Sequence, residues 1–201
     1  MSTTNLFVEL LVIGVGAAGW LILFTLAALG YDTAFVKGLL STPAAIVPGI
    51  VAIYLLGIIT DRIADSSLQF LRTERKRRLY FPTADDAFKA RGYVLTKSSY
   101  FATQFEYSRS RQRICRGWIL NFMLLMISLN TLLIVRPEAF TRAAGLGTFN
   151  PWYVSYFATP MLILFAMASW FAWEKLYDTE LRRMRDQAKL LREIDAGRQQ
   201  T

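Results

Sequence analysis

Four stretches of this chain are too long and too apolar to be ordinary core elements, and their spacing constrains the fold more than any other feature. Residues 6–29 (LFVELLVIGVGAAGWLILFTLAAL) carry one charge, Glu9; residues 43–60, 117–135 and 151–173 carry none. At 1.5 Å per residue, about 20 such residues cross a hydrocarbon core of about 30 Å. The second run, at 18 residues, is barely long enough. A hydrophobic content of 54% fits the same class. The expected fold class is therefore all-α, an integral membrane four-helix bundle with cytoplasmic helical extensions. It divides into 1–60 (two spans), 61–116 (a basic hub), 117–173 (two spans) and 174–201 (an amphipathic helix). The first run is expected to be retained as a span, because residues 1–5 lack the basic flank of a signal peptide.

Positive charge sets the orientation. The hub holds 13 of the 23 Lys and Arg, the tail 7, and the two remaining loops 1 and 2. Lys and Arg collect in cytoplasmic loops, so both termini are expected inside, in a multi-pass membrane protein. Arg75, Lys76, Arg77 and Arg78 form a polybasic cluster suited to anionic lipids, at about 1 kcal/mol per residue near the surface. Nucleotide or nucleic-acid phosphates are the alternative ligands.

Within the hub, 61–80 and 97–116 read as helices joined by a connector that Pro82 and Gly92 break. Asp61 and Asp65 fall one helical turn apart, placed to hold a cation or to meet an arginine of a neighbouring segment. No further carboxylate has the spacing of a metal loop, and no metal site is expected. Tyr100, Phe101, Phe105 and Tyr107 precede Arg109, Arg111, Arg113 and Arg116. Such a run serves as the buried face of a helix entering the membrane, or as a stacking platform for bases.

Polar groups inside the apolar runs are the other candidates. Glu9 is a functional candidate because an intramembrane carboxylate is costly unless it is paired or reaches the interface. Asn121, Ser128 and Asn130 must find partners, as interhelical glue or along a pore. Pro48 with Gly49, and Pro160, mark kinks that either serve packing or act as hinges. Gly14, Gly16 and Gly19 spell a dinucleotide fingerprint, but the run that follows has only Thr25 as a polar residue. Close helix packing explains these glycines better. In the tail, Tyr177, Leu181, Met184, Ala188 and Leu191 make a heptad stripe for a coiled coil or for docking on the hub.

The sequence has no His and one Cys, Cys115. This removes Cys/His zinc sites, His-dependent nucleophilic centres and internal disulfides. No enzyme activity and no cofactor are expected. The span count, the basic hub between the second and third spans and the chain length resemble the small four-span subunits of bacterial antiphage defence systems, such as the Kiwa membrane component and channel-type effectors. That resemblance carries no residue motif. It implies an inner-membrane homo-oligomer working with a soluble cytoplasmic partner. The expected function is a channel-like or membrane-perturbing effector gated through the hub, with a tetramer as the working copy number. A membrane scaffold recruiting a protein or nucleic acid is the alternative.

Overall fold

The computed structural model describes residues 3–30, 43–68, 74–97, 99–137 and 151–198. Residues 31–42 and 138–150, Arg72 and the side chain of Arg75 lie outside the described residues. Six helices follow in order: α1 (Thr3–Leu29), α2 (Pro43–Leu68), α3 (Glu74–Tyr80), α4 (Ala84–Lys97), α5 (Ser99–Val135) and α6 (Pro151–Arg198). Among the described residues the chain is all-helical, and α1, α2, α5 and α6 are long and apolar enough to cross a membrane. The dinucleotide fingerprint lies wholly inside α1, with no strand before it.

Packing of α1 against α2 depends on two glycines. A Cβ at Gly14 would overlap the Ile53 carbonyl, and one at Gly57 would overlap the Leu10 carbonyl. The two backbones therefore touch, which only side-chain-free positions permit. On its other side α1 packs on α5. There Ile13 is fully buried, and a Cβ at Gly117 would come within 2.8 Å of the Ile13 side chain. At the far end α1 closes on Gly30, whose φ of +65° is the left-handed conformation of a helix cap. Arg136 covers this end by donating from Nε to the Ala27 carbonyl at 3.1 Å.

The four long helices expose large apolar side chains on their outward faces. Val47, Val51, Leu55 and Ile59 of α2 and Tyr156, Phe157, Leu164 and Phe171 of α6 are among them. A soluble protein seldom exposes so continuous an apolar surface.

Two of the helices run far beyond their apolar segments. α5 has 37 residues and α6 has 48, or about 55 and 72 Å at 1.5 Å per residue. The tail is thus no separate element: it continues the fourth apolar segment without a break. Its heptad stripe packs within the chain, where Leu181, Met184 and Ala188 join Phe81, Ala87, Ala90, Val94 and Phe105 in a second core. Docking on the hub, rather than a coiled coil between copies, is what the stripe does in this fold.

The middle of the hub differs from the expected broken connector, because residues 84–97 form α4. Pro82 precedes the helix and so breaks nothing. Thr83 caps it, accepting the Asp86 amide at 3.2 Å while its hydroxyl donates to the Asp86 carboxylate at 2.7 Å. Asp85 and Asp86 in the first turn favour the helix dipole. Gly92 costs about 1 kcal/mol relative to Ala, which burial of Ala87, Ala90 and Val94 on one face offsets.

These contacts separate the glycines by consequence. Gly14→Ala and Gly57→Ala should each destabilise the protein by about 1–3 kcal/mol through overpacking. Gly92→Ala, which meets nothing within 4 Å, should stabilise it by about 0.5–1 kcal/mol. Thermal unfolding in detergent, followed by circular dichroism, checks the ranking.

Candidate functional site: a charged junction of three helices

Charged side chains from three elements converge where the apolar segments of α1, α2 and α5 meet the hub. Glu9 comes from the second turn of α1, Asp61 and Asp65 from the end of α2, and Arg113 and Arg116 from α5 just before its apolar segment. Arg113 sits between two acids, with Nη1 3.1 Å from Glu9 and Nε 3.6 Å from Asp61. Arg116 pairs with Asp65 and lies 4.0 Å from Asp61. Ser110, one turn before Arg113, donates its hydroxyl to Glu9.

The cluster is dry at two of its acids, while Asp65, Arg113 and Arg116 stay partly exposed. Glu9 is 5% exposed and Asp61 7%. Charges so far from water persist only when paired, and removal of one partner typically costs about 3–5 kcal/mol. One Asp61 oxygen and the Arg116 Nε are nonetheless buried without a hydrogen-bond partner. The pairing is therefore electrostatically close but not saturated by hydrogen bonds.

The local sequence explains the convergence. Asp61 and Asp65 are four apart on α2, and Arg113 and Arg116 are three apart on α5, so each pair lies on one helix face. Of the two roles open to the aspartates, the meeting with arginines is the one the fold builds. No group of three or more His, Cys, Asp or Glu close enough to hold a metal occurs among the described residues.

The arginines of the hub separate. Arg113 enters the junction, Arg111 lies 4.4 Å over the Tyr107 ring on the exposed side, and Arg109 lines a neighbouring cleft. The aromatics separate likewise. Phe105 is buried in the second core and Phe101 packs against it, whereas Tyr100 and Tyr107 are 71% and 58% exposed. Only half of that run is the buried face expected. In the polybasic cluster Lys76 pairs with Glu174 of α6 at 2.9 Å, Arg77 is half-buried and Arg78 is exposed.

The polar residues of the apolar segments face neighbouring helices of the same chain. Asn121 is fully buried, donating to the Ile13 carbonyl at 2.8 Å and accepting from the Trp20 indole at 3.2 Å. Ser128, also fully buried, donates to the Leu125 carbonyl one turn back. Asn130 joins α5 to α6, donating to the Thr159 hydroxyl at 3.0 Å and accepting from Ser155 at 2.6 Å. All three serve as packing contacts here. Pro48 and Pro160 lie inside α2 and α6, which continue through them, and a Cβ at Gly49 would meet open space.

Comparison with known protein families, characterised proteins and solved structures returns no match. Function is therefore argued from the geometry alone.

Several residues of the site are not among those the sequence singles out. Ser110, Gln112 and Glu180 belong to it, and Gln112 with Ser108 donates to the Glu180 carboxylate. Helical spacing was the available signal: Arg109, Gln112 and Arg116 recur at steps of three and four. Two tyrosines fasten the hub to the tail. Tyr80 donates to Asp178 at 2.9 Å, and Tyr93 donates to Asp195. These hydrogen bonds to carboxylates, followed by burial, hold both phenols above their ordinary pKa.

A double-mutant cycle measures the junction. Glu9→Gln and Arg113→Gln should each cost several kcal/mol in denaturant unfolding of the detergent-solubilised protein, about 3–5 by precedent for buried pairs. The double variant should cost less than their sum by at least about 1 kcal/mol. Additive losses would show that the two charges do not depend on each other.

Proposed function

We propose that the protein is an integral membrane protein of the bacterial inner membrane with both termini in the cytoplasm. It works as a homo-oligomeric channel-like or membrane-perturbing effector gated through its hub. The exposed apolar faces of α2 and α6 support membrane insertion: in lipid they cost nothing, and in water they would drive aggregation. The four apolar segments then span the bilayer and leave the hub, the junction and the tail on the basic, cytoplasmic side.

One observation carries the gating reading. α5 and α6 each run unbroken from the hub's core into an apolar segment, and the charged junction ties α5 to α1 and α2 at the boundary. A displacement of the hub is thereby transmitted to all four apolar segments through rigid helices and ion pairs. Asn121, Ser128 and Asn130 are occupied within the chain, so no preformed polar lining is left over for an axial pore. Conduction in this reading follows opening of the junction, and Glu9 is the intramembrane charge freed when Arg113 moves away.

Planar-bilayer recordings test this. Glu9→Gln or Arg113→Gln should raise basal conductance at least several-fold over the wild-type protein, and chemical crosslinking in the membrane should capture oligomers. A protein that conducts nothing, wild-type and junction variants alike, contradicts the effector reading.

A second reading is favoured by Leu79 and Phe88, which are 73% and 79% exposed on α3 and α4, outside the apolar segments. Such residues beside a basic stretch suit a scaffold that recruits a soluble partner. The scaffold reading requires a co-purifying protein whose recovery falls when Arg75, Lys76, Arg77 and Arg78 are neutralised.

A further inference from the structure

Beside the junction, a cleft of about 340 Å³ opens between α2, α4, α5 and α6. That volume lies at the small end of ligand pockets, about 300–1,000 Å³. Arg62, Arg91, Arg109, Arg113 and Arg116 line it, with Gln112 among them. Three of the five guanidiniums differ from the others. Arg113 and Arg116 are committed to Glu9, Asp61 and Asp65, but among the described residues the side chains of Arg62, Arg91 and Arg109 make no hydrogen bond or ion pair.

The carboxylates on the cleft wall do not relieve this. Asp61 and Asp65 are taken by the junction, and Glu180 accepts from Gln112 and Ser108. Even with Glu9 holding Arg113 from behind, four carboxylates face five arginines. Arg109 also lies in the repulsive field of Arg91 and Arg113, opposed by Glu180 and Asp65. Like charges brought together by a fold, against their repulsion and with committed acids around them, suit an anionic ligand.

We infer that the Arg62, Arg91 and Arg109 cleft is a binding site for a phosphate-bearing anion. Planar guanidinium forks match phosphate oxygens and bind them in pairs of parallel hydrogen bonds, which a single ammonium does not do. The phosphate can come from a lipid headgroup, since the cleft adjoins the end of the apolar segments, or from a soluble phosphate ester reaching it from the cytoplasm. Arg91 belongs to α4 and Arg62 and Arg109 to α2 and α5, so a shared phosphate draws the hub's short helix toward two helices of the junction. The inference rests on the proposed effector reading for its role as the gating signal, but not for the binding itself.

The test uses the full-length protein in neutral detergent, titrated separately with inorganic pyrophosphate and with short-chain phosphatidylglycerol, and with phosphatidylcholine as the zwitterionic control. Thermal unfolding is the readout. A saturable rise in Tm with pyrophosphate identifies a soluble phosphate, and one with phosphatidylglycerol alone identifies a headgroup; either supports the site. In the Arg91→Gln/Arg109→Gln variant the apparent affinity should fall about tenfold or more, as expected for loss of charge-assisted hydrogen bonds. Arg183→Gln, outside the cleft, should leave it unchanged. Neither arginine holds a structural contact, so the variant should fold; if it does not, Arg62→Gln/Arg91→Gln takes its place. No saturable rise with either probe, or a rise that the variants keep in full, overturns the site. Bilayer conductance of the same preparations separates the two ideas. Binding without conductance removes the effector reading and keeps the site, and conductance without binding does the reverse.

Discussion

The junction of Glu9, Asp61 and Asp65 with Arg113 and Arg116 is the interaction on which the rest of the architecture depends. At about 4 Å and an effective dielectric near 20, two unit charges attract by about 4 kcal/mol, and desolvation takes back much of that. The net stabilisation is modest, whereas the penalty for a wrong register is not. A register that parts Arg113 from Glu9 and Asp61 leaves buried carboxylates unpaired. The charges therefore fix how α1, α2 and α5 sit lengthwise, which apolar packing alone would leave loosely specified. Gly14 and Gly57 then fix how closely α1 and α2 approach.

Rigid extension is the second consequence. Because α5 and α6 do not break at the end of their apolar segments, the charged hub and tail are a continuation of the long helices. Their own core is small, with five hub residues packed on Leu181, Met184 and Ala188. Tyr80, Tyr93, Lys76 and Lys97 reach the tail through hydrogen bonds and ion pairs to Asp178, Asp195 and Glu174. Many polar ties around a small apolar centre make a module that can shift as a unit while the long helices stay intact.

How far the sequence is legible varies from residue to residue. The four apolar segments are read directly, because length and lack of charge are local properties. The tail stripe is also visible, but its partner is not: the same heptad serves a second copy or the hub equally well, and only the placement of Phe81, Val94 and Phe105 decides. The connector at 82–92 is misread because Pro and Gly are weighed as breakers by type. Their positions, before the helix start and on its open face, make them nearly harmless. Asn121 and Asn130 are recognisable as groups in need of partners, yet the partners, Ile13, Trp20, Ser155 and Thr159, lie on other helices.

By itself the sequence determined the helical class, the number of apolar segments, the basic character of the hub and the absence of histidine chemistry. These follow from composition within windows shorter than one helix. The tertiary structure decided which charges neutralise each other and which are left over. Asp61 and Asp65 are an acidic pair in the sequence and half of an ion-pair junction in the fold; Arg111 and Arg113 are near neighbours in one basic run and face different sites. The reason is angular. A helix turns 100° per residue, so charges two positions apart in α5 are divided by the neighbours each face meets, and those neighbours come from elsewhere in the chain.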